Sequence, residues 1–459
     1  MITAHSSPHP SLYDDDEAVL SALELVLTKA RRAGAENVDA LMIARRSLAV
    51  GCRLGLPETV EHAESRDIGV RVLIGHRQAL ASTSDLSDAS LQHVVEQAVA
   101  MARAAPEDPY CGLADPEQLA RETVDVEGVD ASEPAPEAMA DRARTAEDAA
   151  RQVAGIVNSE GAECGWEAET VAVAATNGFA RMFRRSRHSI NVSVVAGDGQ
   201  GLERDYEYAM AVFGSDLPDP AVIGASAGEK AAKRLGPRKI DTGRFPVVYA
   251  PRVARSVLGH LAGAISGSAV TRKTTFLADR LGQRIFPAAI TIADDPLRKR
   301  GLRSRPFDAE GLPAHRLNVV EDGVLRCWLL DLSSARQLGL ETTGRASRGV
   351  SSPPSPSATN LYIQSGDIDA ACLIGDVAAG LYVTDLIGMG VNGVTGDYSR
   401  GAAGFWIHDG QLDFPVSEVT VSGNLIDMFA NMTAANDLEF RYGFDSPTLR
   451  IDGMTVAGR

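Results

Sequence analysis

The sequence predicts an α+β protein of two domains, an N-terminal antiparallel sheet with helices followed by a β-rich C-terminal domain. Three observations carry that expectation. The chain has 459 residues, more than one ordinary core accommodates. Stretches with apolar residues at helical spacing are interspersed with stretches in which apolar and polar residues alternate. Breaks containing Gly, Pro or Asp separate them.

The elements follow in order. Residues 1–13 read as a loose tail. "DEAVLSALELVLTKARRAGA" (16–35) has apolar residues at helical spacing and a glycine-containing stop. "VDALMIARRSLAVGCRLG", "PETVEHAES" and "DIGVRVLIGHRQALAST" alternate, and predict antiparallel strands joined by hairpins. "SDASLQHVVEQAVAMARAA" (87–105) opens on helix-capping residue types. An acidic, Pro-containing connector spans 111–137, a helix runs over roughly 137–156, and strands follow from about 163 to 213. A helix within 216–243 closes on Gly-Pro, which puts the domain boundary near 240, with domains at 14–240 and 241–459. "FPVVYAP" (245–251) predicts a short buried strand, and "SVLGHLAGAISG" (256–267) a helix. Two Asp-Gly pairs, at 322–323 and 409–410, predict hairpin turns. "ASRGVSSPPSPSATN" (346–360) is rich in Ser and Pro and predicts an exposed, mobile loop.

Composition bounds the function. With 44% hydrophobic and 23% charged residues the chain is of globular type, and its net charge of −16 disfavours nucleic acid and anionic membrane as partners. One cationic run stands out, "RMFRRSRHS" (181–189), either a DNA-binding patch or, the favoured reading because little basic surface surrounds it, a strand end with solvated arginines. The five cysteines are scattered without C-x-x-C, so neither a zinc ribbon nor a disulfide framework is expected. There is no apolar signal region and no run of about eighteen apolar residues, so a cytoplasmic location without membrane spans is expected.

Motifs for catalysis are missing. A helical metal site needs imidazoles close together on one face and a carboxylate to activate water. The histidines within the fold have no such spacing. "GAISGSA" (263–269) is not G-x-S-x-G. "IGMGVNGVTG" (387–396) lacks the Gly-Lys-Ser/Thr ending of a P-loop, and reads as backbone needing positive φ or close approach.

Longer runs carry a resemblance. "GHLAGAISGSAVTRKTTFLADRLGQRI" (259–285), "RSRPFDAEGLP" (303–313), "VLRCWLLDLSSARQLGLETTGRA" (324–346), "TDLIGMGVNGVTGDYSRGAAGFWI" (384–407) and "FPVSEVTVSGNLIDMFANM" (414–432) resemble the TldD/TldE (PmbA) family. The resemblance implies proteolysis by a heterodimer acting on peptides or unfolded polypeptides. Members of the TldD kind carry H-E-x-x-x-H on a helix and a cysteine near the C-terminus. They hold zinc, with the glutamate as expected general base. Members of the TldE kind pair with them and lack these groups. Aligned on Gly263, the three motif positions hold Gly259, His260 and Ala264, and the C-terminal segment has no cysteine. The chain therefore resembles the TldE kind. It is expected to have no catalytic residue or metal ligand of its own, and to have a TldD-type partner that holds the zinc.

Four residues are candidates for peptide or partner contact: His260, Asp397, Tyr398 and Arg400. His260 either lines the cleft or is a hydrogen-bonded histidine on a packed helix. "TGDYSRGAAGFW" (395–406) places three polar side chains beside glycines, either as a contact site or as a turn pinned by an Asp–Arg pair. An extended peptide could be held by strands near "TNLYIQSG" (359–366). Two other functions stay open: a homodimeric hydrolase with unrecognised catalytic residues, and a non-proteolytic interaction protein, since some family members carry a label linking them to DNA gyrase.

Overall fold

The computed structural model describes residues 16–197, 199 and 201–459. The tail expected over residues 1–13 lies outside them. The N-terminal half contains α1 (Asp16–Arg32), β1 (Asn37–Arg53), β2 (Leu56–Ile74), β3 (Arg77–Thr83), α2 (Asp88–Ala104), α3 (Pro136–Arg151), β4 (Ile156–Ala175), β5 (Ala180–Gly197), β6 (Leu202–Ala211) and α4 (Pro220–Lys233). The six strands pair antiparallel in the order β3-β2-β1-β4-β5-β6. Prolines set where α3 and α4 start, because a first-turn residue needs no amide donor. Both helices are shorter than the sequence suggests.

Alternation along the long strands sorts their side chains by parity. On β1 the even positions Val38, Ala40 and Met42 join α1 and α2 in one core, while Leu48, Val50 and Cys52 join α3 and α4 in a second. The 20 residues of β4 extend about 65 Å, room for both helix pairs side by side on one face. The odd positions face the other way. Leu41, Val173 and Phe179 pack there with Phe307 of the C-terminal half. Phe307 meets Phe179 and Phe183 edge-on at 5.1 and 5.3 Å.

The C-terminal half comprises β7 (Gly243–Tyr249), α5 (Pro251–Ala264), α6 (Gly267–Thr271), β8 (Ile292–Asp294), β9 (Leu317–Glu321), β10 (Val324–Leu325), α7 (Leu332–Leu338), β11 (Ala346–Ser347), β12 (Ser355–Pro356), β13 (Leu361–Ile363), α8 (Ala370–Gly375), β14 (Ala379–Ile387), β15 (Asp397–His408), β16 (Gln411–Asn424), α9 (Leu425–Ala430), β17 (Met432–Ala434), β18 (Phe444–Asp445) and β19 (Leu449–Ala457). One sheet runs β16-β15-β14-β7-β19-β17, and a further β16–β19 pairing closes five of its strands into a ring. The other runs β10-β9-β8-β13-β18. Both Asp-Gly turns have positive φ at each residue: 50° and 77° at Asp322 and Gly323, 46° and 76° at Asp409 and Gly410.

Within this half, Arg345 and Asp294 form an ion pair whose side chains are both 0% exposed. Arg345 donates further to the Thr343 carbonyl at 3.0 Å and the His315 carbonyl at 2.6 Å. Asp294 also accepts from the Thr359 amide at 2.7 Å and hydroxyl at 3.0 Å.

Two sequence expectations are corrected here. The segment near 359–366 supplies no free sheet edge: β13 is flanked by β8 and β18. Residues 346–360 are not a loose loop. Their ends are buried and β11 pairs with β12, with exposed residues confined to 349–355 around the tip. This hairpin straps the C-terminal half to the N-terminal sheet. A Cβ on Gly69 would lie 1.9 Å from the Val350 carbonyl oxygen, so only glycine admits the strap there. Arg348 reaches Asp39, which also accepts from Arg71 Nε at 2.8 Å. Burial opposes ionisation of Asp39, yet the Arg348 and Arg71 guanidiniums hold its carboxyl below the usual range. In limited proteolysis the native strap is expected to resist cleavage. Arg348→Ala, which removes one anchor and leaves Asp39 paired with Arg71, should make the strap the first site cut. Equal cleavage rates in the two proteins would show that Arg348 does not hold it.

Candidate functional site

The amphipathic helix α5 buries Val253, Val257, Leu258 and Leu261 in the C-terminal core. Its opposite side carries Gly259 and Gly263, both exposed, where a Cβ would meet nothing within 4 Å. These glycines, with His260 and Ala264, form one wall of a cavity of about 270 Å³. The other walls are Thr274 and Phe276, the loop bearing Met389, Val391 and Gly393, and Arg400 and Leu425.

The glycine-rich loop is shaped by its own hydrogen bonds. Gly396 donates to the Asn392 carbonyl, and the Asn392 amide donates to the Asp397 carbonyl, each at 2.8 Å. A Cβ at Gly390 would sit 2.0 Å from the Ser399 carbonyl oxygen, so the loop lies directly on β15 because that position is glycine. The same closeness lifts apolar side chains outward: Ile387, Met389 and Val394 are 64%, 90% and 54% exposed.

Strand alternation on β15 divides the predicted cluster. Tyr398 and Arg400 point to the interior side, and Asp397 points away. Among the described residues Asp397 pairs with no arginine: it accepts from the Thr395 hydroxyl at 2.6 Å and from Asn424 Nδ2 at 3.2 Å, and those bonds hold its carboxyl below the usual range. The turn is thus pinned by Thr395 and Asn424, and not by an Asp–Arg pair. Tyr398 is 2% exposed, with its ring edge-on to His260 at 5.9 Å. Burial raises its hydroxyl, against the lowering influence of neighbouring Tyr249 and Arg400. Of the four candidates, then, His260, Tyr398 and Arg400 come together and Asp397 does not.

His260 has no hydrogen-bonded partner for its buried Nε2 among the described residues, so that atom gives no support to the reading of a hydrogen-bonded packed histidine. Burial lowers the imidazole pKa, and the positive charge of Arg400 lowers it further, so the ring is neutral at pH 7. Arg400 donates Nη2 to the Leu386 carbonyl at 3.3 Å, and its buried Nε has no acceptor among the described residues. The cavity therefore offers unused polar atoms of an imidazole and a guanidinium within walls whose other side chains are apolar except for Thr274. Such a site suits the backbone or a polar side chain of a peptide.

It does not suit a metal. Catalytic zinc takes three protein donors and keeps a fourth position open. Here His260 is the sole imidazole, and no carboxylate or thiol lines the cavity. Among the described residues no group of three or more His, Cys, Asp or Glu could hold an ion. Residue identity at 259, 260 and 264 was legible in the sequence. The parts contributed by Thr274, Phe276 and Leu425 were not, since only folding brings them to α5.

Comparison with known proteins places these features. Three family models match consecutively: PmbA/TldA metallopeptidase domain 1 over residues 38–102, the central domain over 130–235, and the C-terminal domain over 242–458. The chain is 36% identical to Metalloprotease PmbA of Escherichia coli O157:H7, covering 97% of this chain and 96% of that protein. It is 35% identical to the Metalloprotease PmbA homolog of Haemophilus influenzae, covering 96% of each. Among solved structures, a protein of Bacteroides thetaiotaomicron described as a proposed modulator of DNA gyrase superposes with TM-score 0.89 at 25% identity, over 96% of this chain and 99% of that one. TldE of Thermococcus kodakarensis shares the fold, with TM-score 0.85 at 19% identity over 95% of this chain and 100% of that one.

Proposed function

The chain belongs to the PmbA/TldD metallopeptidase family, and from that membership we propose that it is the TldE-type, non-catalytic subunit of a heterodimeric zinc metalloprotease. A TldD-type partner supplies the zinc, and this chain shapes the cleft that holds the peptide or unfolded polypeptide. One observation carries the reading: where the resemblance puts a metal-binding helix, α5 presents Gly259, His260 and Ala264 to a cavity without a metal donor set. The exposed apolar rim of Ile387, Met389 and Val394 beside that cavity suits burial against a second subunit.

The test is reconstitution. The purified chain should hold no stoichiometric zinc after dialysis and cleave no peptide, and a TldD-type chain should co-purify with it and bring both. One zinc per chain together with peptidase activity in the isolated protein would overturn the proposal in favour of a self-sufficient hydrolase.

Within the assembled pair, Arg400 and Tyr398 should separate. Arg400→Ala is expected to lower peptide kcat/KM up to about tenfold, the equivalent of about 1.4 kcal/mol of lost interaction, with the partner's zinc retained. Tyr398→Ala should act chiefly on the melting temperature, because that ring is packed in the core. Unchanged kinetics in a folded, assembled Arg400→Ala pair would remove Arg400 from the peptide cleft.

A further inference from the structure

The arginines at 181–187 lie at the start of β5, where Arg185 and Arg187 are exposed as expected, and these two also carry acidic partners across the sheet. Arg187 pairs with Glu167 at 3.1 Å, and Arg185 pairs with Glu169. Arg45 reaches the same two carboxylates, Glu169 at 2.8 Å and Glu167 at 3.5 Å. A second cationic run, "RKRGLRSR" (298–305), lies in the segment after β8. Folding brings the two runs to one place. Arg185 and Arg187 from β5, and Arg303 and Arg305 from the second run, line a single cavity of about 250 Å³ with Glu167 and the Ser347–Thr359 side of the strap. It shares no lining residue with the His260 cavity.

Charge around this cavity does not balance. Glu167 and Glu169 are committed to Arg45, Arg185 and Arg187. Asp294 is committed to Arg345. Asp308 accepts from the amides of Glu310 at 2.9 Å and of Leu312 and Ala346 at 3.0 Å each. Neither Arg303 nor Arg305 makes an ion pair among the described residues. Arg303 stacks its guanidinium over Phe444 at 4.8 Å. Arg305 keeps both Nε and Nη2 buried with no acceptor among the described residues. Its pKa falls to about 10, through burial and through the nearby charges of Arg345 and Arg185 acting against Asp308, yet it is still protonated at pH 7. Buried guanidinium donors rarely go unused, because leaving them unpaired costs more than the bond itself contributes.

We propose that this cavity binds a phosphate dianion, either free or as the phosphoryl group of a larger ligand. Two guanidiniums that make no ion pair among the described residues leave positive charge that a phosphate dianion answers more fully than a carboxylate monoanion. The planar guanidinium fork matches phosphate oxygens in pairs. Its position between β4–β5 of the N-terminal sheet and the strap means that an occupant bridges the two halves of the chain, a role separate from the peptide-cleft reading.

The test is calorimetric titration of the full chain, in phosphate-free buffer, with inorganic phosphate, with a phosphoserine peptide, and with acetate as a monoanion control. Phosphate or the phosphoserine peptide should bind saturably and at least tenfold more tightly than acetate. Tighter binding of the peptide assigns the site to a phosphoryl group on a larger ligand, and equal or weaker binding assigns it to the free ion. Arg305→Gln should weaken that binding at least tenfold. Arg303→Gln, at a more open position, should do the same and decides the matter if Arg305→Gln does not fold. No saturable binding of either phosphate probe, acetate binding as tight as theirs, or wild-type affinity in the folded variants would overturn the assignment.

Discussion

Asp294→Ala is expected to destabilise the protein by about 3–5 kcal/mol, the cost of leaving a buried charge without its partner. Asp294 and Arg345 are both fully enclosed, so in this variant the guanidinium has neither water nor carboxylate on its Nε side. The remaining bonds from Arg345 to the Thr343 and His315 carbonyls do not neutralise it. The variant also strands the Thr359 amide and hydroxyl at the start of the segment leading into β13. Denaturant unfolding at pH 7 measures the loss. Adding Arg345→Met to Asp294→Leu should recover much of it, since two apolar side chains of similar volume avoid desolvating any charge. A loss below about 1 kcal/mol in Asp294→Ala would mean that water reaches the site and relieves the arginine.

Glu310 governs the second effect. It lies beside a cavity of about 280 Å³ between Arg71 of the N-terminal sheet and the start of α7, and it accepts from the Leu332 amide at 2.8 Å. Burial raises its carboxyl to about 8, and the negative charge of Asp308 adds to that, with Arg71 opposing. The folded chain thus keeps a proton that the unfolded chain releases near pH 4.5. Linkage then requires the Glu310 contribution to be fully present below about pH 4.5 and to be lost as pH rises through about 8. Every tenfold difference in proton affinity between the folded and unfolded chains is worth at most about 1.4 kcal/mol, and partial access to the cavity reduces this, so a total of roughly 2–4 kcal/mol is expected. Asp308 is raised in the same direction, and comparing the wild type with Glu310→Gln isolates Glu310. The Gln variant should match the wild type near pH 4.5 and exceed it in stability at pH 8.5. Parallel stability curves across that range would place an ionised carboxylate at 310.

Much of the fold could be read residue by residue because its causes are local. The helical spacing of Val19, Leu23, Val26 and Ala30 predicts α1, and it is the face α1 buries. Positive φ at Asp322–Gly323 and Asp409–Gly410 is a demand on two adjacent residues, so the pair announces the turn. The lack of a His-Glu-His set at 259, 260 and 264 is likewise a matter of residue identity, which no tertiary arrangement alters. The Ser- and Pro-rich segment misled because composition reports what a segment cannot bury by itself. The anchor at Arg348 depends on Asp39, which is 309 residues away in the chain.

What the sequence by itself determined is the mixed α+β class, the principal helices and hairpin turns, the family resemblance and the absence of the catalytic motif. Only the tertiary structure decided that Asp397 stands apart from Tyr398 and Arg400, that β13 is enclosed between two strands, and that the arginines of two distant runs share one cavity. The physical reason is the range of the interactions. Periodicity, capping and turn preference act over a few residues and are written in their order. Parity on a paired strand, burial of a charge and the meeting of like charges depend on which distant segments the sheet brings within contact.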